Sequence, residues 1–115
     1  MYDLEERTIK LAIAVRNFTK DLPRTTSNIE DVKQVVRSSG SIGANYIEAN
    51  EALSQKDFVM RLKISRKESK EMIYWLKIIL STNILETELN SKGEYLIKET
   101  GELRNILSAI LKKSE

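Results

Sequence analysis

The sequence contains neither cysteine nor histidine among its 115 residues. Without cysteine there is no disulfide framework and no thiol nucleophile. Without histidine the chain lacks the side chain that most often serves as a general base and as a zinc ligand. These absences disfavour most hydrolase and metalloenzyme mechanisms. We therefore predict a protein that is not an enzyme and that uses no cofactor and no metal.

Proline and glycine are also scarce, at one and four residues. Turns and strand boundaries depend on these two residue types, so their scarcity favours helices. A chain of this length fits one hydrophobic core, because independent domains usually need about 100 to 200 residues. We predict a single all-helical domain over residues 1–115.

Long hydrophobic runs are missing as well. No stretch approaches the roughly 20 apolar residues of a membrane span, and the first residues lack the basic and then apolar character of a secretory signal. We expect a cytoplasmic protein without a membrane partner. The formal net charge of +2 is too small to indicate nucleic-acid binding by itself.

What the sequence does contain is four amphipathic segments. The first begins at a cap-like Asp3 and ends at Pro23. An S-x-x-E capping box from Ser27 predicts the start of the second helix, and an S-x-x-D pattern from Ser54 predicts the start of the third, which ends near Thr82. The predicted core stripe of the first helix is Leu4, Thr8, Leu11, Val15, Phe18 and Leu22, and that of the third is Phe58, Leu62, Ser65, Ser69, Met72, Leu76 and Ile79.

The start of the fourth helix is open on the sequence. Its apolar stripe runs from Leu85 to Ile110, although the spacing of Ser91 and Glu94 also fits a later start. The connections between the helices are short, which forces consecutive helices to run antiparallel. The predicted fold is an up-and-down antiparallel four-helix bundle.

The second helix has small residues in the middle of its apolar stripe. Ser39 and Gly43 lower its helix propensity, and the expected gain is close approach of a neighbouring backbone. The predicted stripe consists of Ile29, Val32, Val36, Ser39, Gly43, Tyr46, Asn50 and Leu53.

Four carboxylates invite comparison with carboxylate-bridged metal bundles: Glu48, Glu51, Glu68 and Glu71. Such sites need Glu-x-x-His pairs on facing helices, and this chain has no histidine to complete them. Helical counting places Glu68 and Glu71 beside the apolar face. We interpret the carboxylates as solvated or paired, not as metal ligands.

Arg37, Ser41, Asn45 and Glu48 share one face of the second helix, which helical counting places roughly opposite the predicted stripe. We call this set the polar ladder. It is either a solvated surface or a subunit or recognition interface. If it is buried at an interface, Glu48 needs a base, supplied by Arg37 or by a neighbouring subunit.

The third helix carries a basic stripe beside its predicted core face. Its cations fall within about a third of the helix circumference. The alternatives are a flank that serves solubility alone and a nucleic-acid-binding surface. The members are Lys56, Lys63, Arg66, Lys67, Lys70 and Lys77.

The C-terminal half of the same helix is apolar nearly all round, because Tyr74, Trp75 and Ile78 join the core positions. One bundle seam in so small a domain cannot bury all of this surface. We expect it to be covered either by the start of the fourth helix, through Ile84 and Leu85, or by another subunit.

The stretch RSSGSIGANYIEAN over residues 37–50, together with the K-x-F element at 56–58 and the S-x-x-E element at 65–68, resembles four-helix-bundle proteins encoded in intervening sequences of bacterial large-subunit (23S) ribosomal RNA genes. Their motif R-A-x-x-S-I-x-x-N-I-x-E-G differs here at Ser38, Tyr46 and Ala49. The motif and the two elements together map onto Arg37, Ser41, Ile42, Asn45, Glu48, Phe58, Ser65 and Glu68.

The resemblance implies a bundle that assembles as a homopentameric ring. It also implies kinship to the accessory variability determinant of diversity-generating retroelements, a similar ring that presents a basic surface to nucleic acid and reverse transcriptase. It implies no known activity, since members of the family mostly lack an established biochemical role.

Our functional prediction is a non-catalytic homo-oligomer that binds RNA or DNA through the basic stripe. In this prediction Tyr74, Trp75, Ile78 and the polar ladder lie at or near subunit contacts. The alternative is a protein-interaction scaffold, in which the same ring docks a protein partner and binds no nucleic acid.

Overall fold

The structure, a computed structural model, describes residues 3–114; residues 1, 2 and 115 of the predicted domain lie outside that range. The described chain forms four helices and no strands, which confirms the predicted helical class. The helices are α1 (Leu4–Thr19), α2 (Thr26–Asn50), α3 (Gln55–Thr82) and α4 (Thr87–Ser114).

The helices run up and down, as the short connections predict. Between α2 and α3, Arg37 pairs with Glu71 while Asn45, further along α2, accepts a hydrogen bond from Arg61. The residue numbers of α3 therefore fall as those of α2 rise, so the two helices are antiparallel. Each helix packs against two others in the ring order α1, α2, α3, α4, with α2 and α3 sharing the largest interface and α1 and α4 the smallest.

The hydrophobic core follows the axis of the bundle in two clusters. Phe18 of α1 and Met72 of α3 belong to the larger cluster, and Leu62 and Leu111 belong to a smaller one near the α2–α3 turn. The stripes predicted on α1, α3 and α4 account for most of the residues in these two clusters. Their periodicity therefore located the buried faces of three helices correctly.

The helix starts agree with the sequence in two cases and differ in one. Asp3 accepts a hydrogen bond from the backbone of Glu5, and Ser54 accepts one from Asp57, as expected for caps. The capping box at Ser27 is wrong. Thr25 has the extended backbone of a cap and accepts from the Asn28 amide, so α2 begins before Ser27.

The fourth helix begins at Thr87, between the two predicted starts. Ser91 and Glu94 are not a cap, because both lie inside α4, where Asn90 donates to the Glu94 carboxylate over 3.0 Å. Leu85 packs against the larger core cluster, whereas Ile84 is fully exposed. The connection therefore contributes one of its two apolar side chains to the core.

The buried face of α2 is rotated from the predicted stripe. Ile29 is 38% exposed and Leu53 is fully exposed. The predicted stripe includes residues that contact α1. The residues that point to the centre of the bundle lie on the adjacent face of α2. The buried positions are Asn28, Val35, Ser38, Ser39, Ile42 and Ala49.

An ion pair ties α1 to α4 on the side of the bundle away from the α2–α3 interface. Arg7 forms a two-pronged ion pair with Glu99, with distances of 2.6 and 2.9 Å, and also contacts Glu102 at 2.9 Å. The hydrogen bond to Glu99 raises the pKa of Arg7 above its ordinary value, against the opposing effect of burial. This bidentate pair stabilises the smallest interface of the bundle.

The predicted close approach occurs at one of the two glycines of α2. A methyl group at Gly43 would lie 2.7 Å from Oγ1 and 3.0 Å from Cβ of Thr8, so α1 packs directly on this position. At Gly40 the nearest atom would be the Arg16 guanidinium nitrogen at 3.9 Å. Space therefore requires glycine at 43 but not at 40.

Alanine substitutions at these two glycines are expected to change stability in opposite directions. Gly43→Ala should lower the free energy of unfolding by about 1 to 3 kcal/mol, because Thr8 is β-branched and α1 must shift. Gly40→Ala should raise it by about 0.5 to 1 kcal/mol through helix propensity. Urea unfolding followed by circular dichroism measures both, and changes of the same sign would contradict this packing.

Candidate nucleic-acid interface

The polar ladder of α2 faces α3. The guanidinium of Arg37 lies 3.2 Å from the Glu68 carboxylate and 3.0 Å from that of Glu71. Of the two bases predicted for Glu48, Arg37 is therefore wrong, whereas a base from a neighbouring subunit stays a prediction. Two carboxylates of the neighbouring helix pair with Arg37 instead, because the antiparallel register brings them beside it.

Of the remaining residues of the polar ladder, Ser41 and Asn45 are hydrogen-bonded to each other, and Glu48 is exposed. Asn45 donates to the Ser41 hydroxyl and carbonyl at 3.0 and 2.9 Å, and Arg61 of α3 donates to the Asn45 side chain at 3.3 Å. Glu48 is exposed, and its carboxylate forms no hydrogen bond or ion pair with another residue of the range 3–114. The ladder is thus a seam along the α2–α3 interface, not a surface opposite the core.

Glu68 is the buried member of this seam. Its side chain is 8% exposed, and its Oε1 is buried without a hydrogen-bond donor although the Arg37 guanidinium lies nearby. Desolvating a carboxylate is costly unless a cation balances it, and Arg37 is that cation. Within residues 3–114 no three carboxylates come together as a metal site. The arrangement is an ion pair that fixes the register of two helices.

The basic stripe lies on the outer face of α3, not beside the core as predicted. The buried positions of α3, such as Leu62 and Met72, lie on the opposite side of the helix. Five of the cations are exposed and Arg66 is half-buried; the exposed ones are Lys56, Lys63, Lys67, Lys70 and Lys77.

These five lysines align along α3 with two further exposed side chains, Met60 and Tyr74. From the sequence, Tyr74 was assigned to the apolar surface and Met60 was not singled out. The positions alternate in steps of four and three, which keeps them on one side of a helix. Met60 is 45% exposed and Tyr74 is 59% exposed. We call this set the basic line: Lys56, Met60, Lys63, Lys67, Lys70, Tyr74 and Lys77.

The basic line contains no acidic residue. The carboxylates of α3, at Asp57, Glu68 and Glu71, lie on the side that faces α2, where all three pair with arginines. Within residues 3–114, Lys56, Lys67, Lys70 and Lys77 have no carboxylate within 4.0 Å. The carboxylates of α3 are thus absent from the side of the helix that carries the basic line.

Chemically, the basic line offers ammonium groups along about 32 Å of helix, from the rise of 1.5 Å per residue. Exposed ammonium groups of this kind bind phosphate oxygens as point charges. The repeat of exposed cations was visible in the sequence. The inclusion of Tyr74 was missed, although the same four-and-three spacing could have revealed it.

The apolar end of α3 is partly used inside the subunit. Trp75 is half-buried and packs against the larger core cluster, and Ile78 is also half-buried. Tyr74 is exposed and forms a T-shaped contact with the Trp75 ring, with ring centroids 5.0 Å apart and planes at 78°. The surplus apolar surface is therefore smaller than the sequence indicates.

Another apolar surface is uncovered on α1. Ile9 and Ile13 are 52% and 54% exposed and lie one turn apart. Apolar side chains of this size on one face of a helix favour a contact with a further chain. The sequence pattern of α1 did not single them out, because they lie opposite its core stripe.

Over residues 3–114, none of the four helices combines the length and the apolar character that a bilayer crossing demands.

Comparison with known proteins identifies a family and a similar solved structure. The sequence model of a family described as 23S rRNA-intervening sequence protein matches residues 2–109. The fold is similar to a crystal structure of a protein of unknown function from the S23 ribosomal protein family of Bacteroides thetaiotaomicron, with a TM-score of 0.80 and 29% identity over 96% of this chain and 99% of that one. No curated protein matches the chain.

Proposed function

The chain belongs to the 23S rRNA-intervening sequence protein family, and on that premise we propose that it is a non-catalytic homo-oligomer that binds nucleic acid through the outer face of α3. The basic line is the observation that carries this proposal. It combines five exposed lysines, a single face and the absence of acidic residues. A flank that served solubility alone would have no reason to exclude carboxylates.

The expected mode of binding is contact with phosphates. Lysine recognises phosphate as a point charge and reads no base edge. Affinity should therefore depend little on base sequence and fall steeply with salt, as counterions released on binding compete with the protein. RNA and DNA are both candidate ligands, and a cytoplasmic location, where transcripts are accessible, is part of the proposal.

Assembly supplies the charge that one subunit lacks. A subunit with a net charge of +2 has a weak field, but cyclic repetition places several basic lines on one particle. The family resemblance favours a homopentamer. Within the subunit, Ile9 and Ile13 support a self-association surface more strongly than Trp75 and Ile78, which are half-buried against their own core.

Light scattering of the purified protein is expected to give the mass of an oligomer at micromolar concentration. Replacing Ile9 and Ile13 with Glu should shift the particle toward monomer, because burying two uncompensated carboxylates in a contact is costly. The control replaces Leu53 and Ile84, which are fully exposed in connections, and should leave the mass unchanged. A wild-type monomer would contradict the assembly proposal.

Binding in cells is tested by crosslinking the tagged protein to nucleic acid and sequencing what is recovered. The proposal expects recovered RNA or DNA without a shared sequence motif. If the intact oligomer recovers no nucleic acid but recovers one defined protein, the scaffold function replaces this proposal.

A further inference from the structure

We infer that the basic line binds single-stranded nucleic acid, with an unpaired base stacked on Tyr74. This inference rests on the proposed function, because it specifies the form of nucleic acid that the same surface recognises. The lysines alone would bind single strands and duplexes alike. The aromatic contact adds a preference for the single strand.

The position of Tyr74 carries the inference. Lys70 lies one turn before it and Lys77 one turn after it on the same side of α3. A strand whose phosphates follow these lysines therefore passes over the tyrosine ring. Tyr74 is 59% exposed although it belongs to a helix segment rich in core residues.

The ring is also held in place before a ligand binds. Trp75 packs against the core and forms a T-shaped contact with Tyr74, with ring centroids 5.0 Å apart, so the tyrosine ring rests against a fixed support. An aromatic ring held this way loses little conformational freedom when a base stacks on it. A single T-shaped contact covers at most one face of the Tyr74 ring and leaves the other face for a base.

Strand pairing decides whether such stacking is possible. In a duplex the faces of internal bases are covered by their neighbours, whereas a single strand can turn a base outward onto an aromatic side chain. Phosphates are available in both forms. The lysines therefore supply affinity for either form, and Tyr74 supplies the preference for the single strand.

The test is a fluorescence-polarisation titration of the full chain with a mixed-sequence 20-nucleotide single strand, its duplex, and a single strand of equal length with abasic sugars. Tyr74→Leu should weaken binding to the base-containing single strand about tenfold, in the range measured for loss of one stacked base. Binding to the duplex and to the abasic strand should change less than twofold. Tyr74→Phe should retain wild-type affinity.

Tyr95→Leu is the matched control, because Tyr95 is 58% exposed but lies on α4 outside the basic line; it should change none of the three affinities. Emission of Trp75, the single tryptophan, is a second readout. It should change with the base-containing strand and not with the abasic strand.

The outcomes separate this inference from the function on which it rests. If all three ligands bind and Tyr74→Leu affects none, or affects all equally, the stacking role is refuted while phosphate binding stands. Loss of the oligomer in Tyr74→Leu would make Tyr74 a subunit contact and would also overturn the inference. Failure of wild type to bind any ligand would overturn both.

Discussion

Reversing the charge of Lys63, Lys67 and Lys70 to Glu is expected to lower the affinity for RNA and DNA about a hundredfold or more. The physical reason is the loss of three phosphate contacts in each subunit and their replacement by repulsion, an effect multiplied in an assembly. All three side chains are exposed on α3, so helicity and oligomer mass should stay unchanged. A gel-shift titration at low salt measures the loss.

The matched control reverses three exposed lysines on α4, at Lys98, Lys112 and Lys113. The net charge changes by the same amount in both triple variants. A control that binds almost as tightly as wild type would locate binding on the basic line. Equal losses in the two variants would show that only overall charge matters, and would remove the reason for assigning the site to α3.

Replacing Trp75 with Ala should lower the free energy of unfolding by about 2 to 3 kcal/mol. A fully buried tryptophan typically contributes about 3 to 5 kcal/mol, and Trp75 is half-buried against the core, so the loss is smaller. Urea unfolding followed by circular dichroism measures the change.

Leu53→Ala is the control for this measurement, because Leu53 is fully exposed after α2 and its loss should change stability by less than about 0.5 kcal/mol. If Trp75→Ala leaves stability intact but reduces the mass of the particle, the ring serves the subunit contact instead of the core. Similar small effects in both variants would contradict the packing described here.

The parts of the fold that could be predicted depend on local signals. The cap at Ser54 needs only the hydroxyl and the amide three residues later, which the sequence places together. The stripes of α3 and α4 are predictable because large apolar side chains, among them Leu62, Met72 and Leu96, recur on them at helical spacing. The start of α2 was missed by two residues, since Thr25 and Ser27 have similar capping chemistry and only the backbone distinguishes them.

The buried face of α2 could not be predicted from the pattern of polar and apolar residues. This face contains Asn28 and Ser38, which a hydrophobic pattern counts as polar and which the predicted stripe left out. In the structure the Ser39 hydroxyl donates to the carbonyl of Val36 at 2.8 Å, and on α3 Ser69 bonds in the same way to Ser65. A hydroxyl that is bonded to its own helix packs as a small residue, so these serines line the core.

The candidate site was predictable only where it depends on spacing within one helix. The lysines of α3 share one face by helical spacing alone. The pairing of Arg37 with Glu68 and Glu71 was missed, because it depends on the register between two helices. The assignment of Tyr74 to an apolar surface followed from its neighbours in sequence, whereas its exposure places it with the lysines.

The most direct test of nucleic-acid binding through the α3 surface is the salt dependence of affinity for the wild-type oligomer. Titrations with mixed-sequence RNA and DNA at several salt concentrations should give a linear fall of log affinity with log salt. The slope should correspond to several phosphate contacts and differ little between base sequences. An intact oligomer that binds neither nucleic acid at low salt would contradict the account and leave the protein-scaffold function in its place.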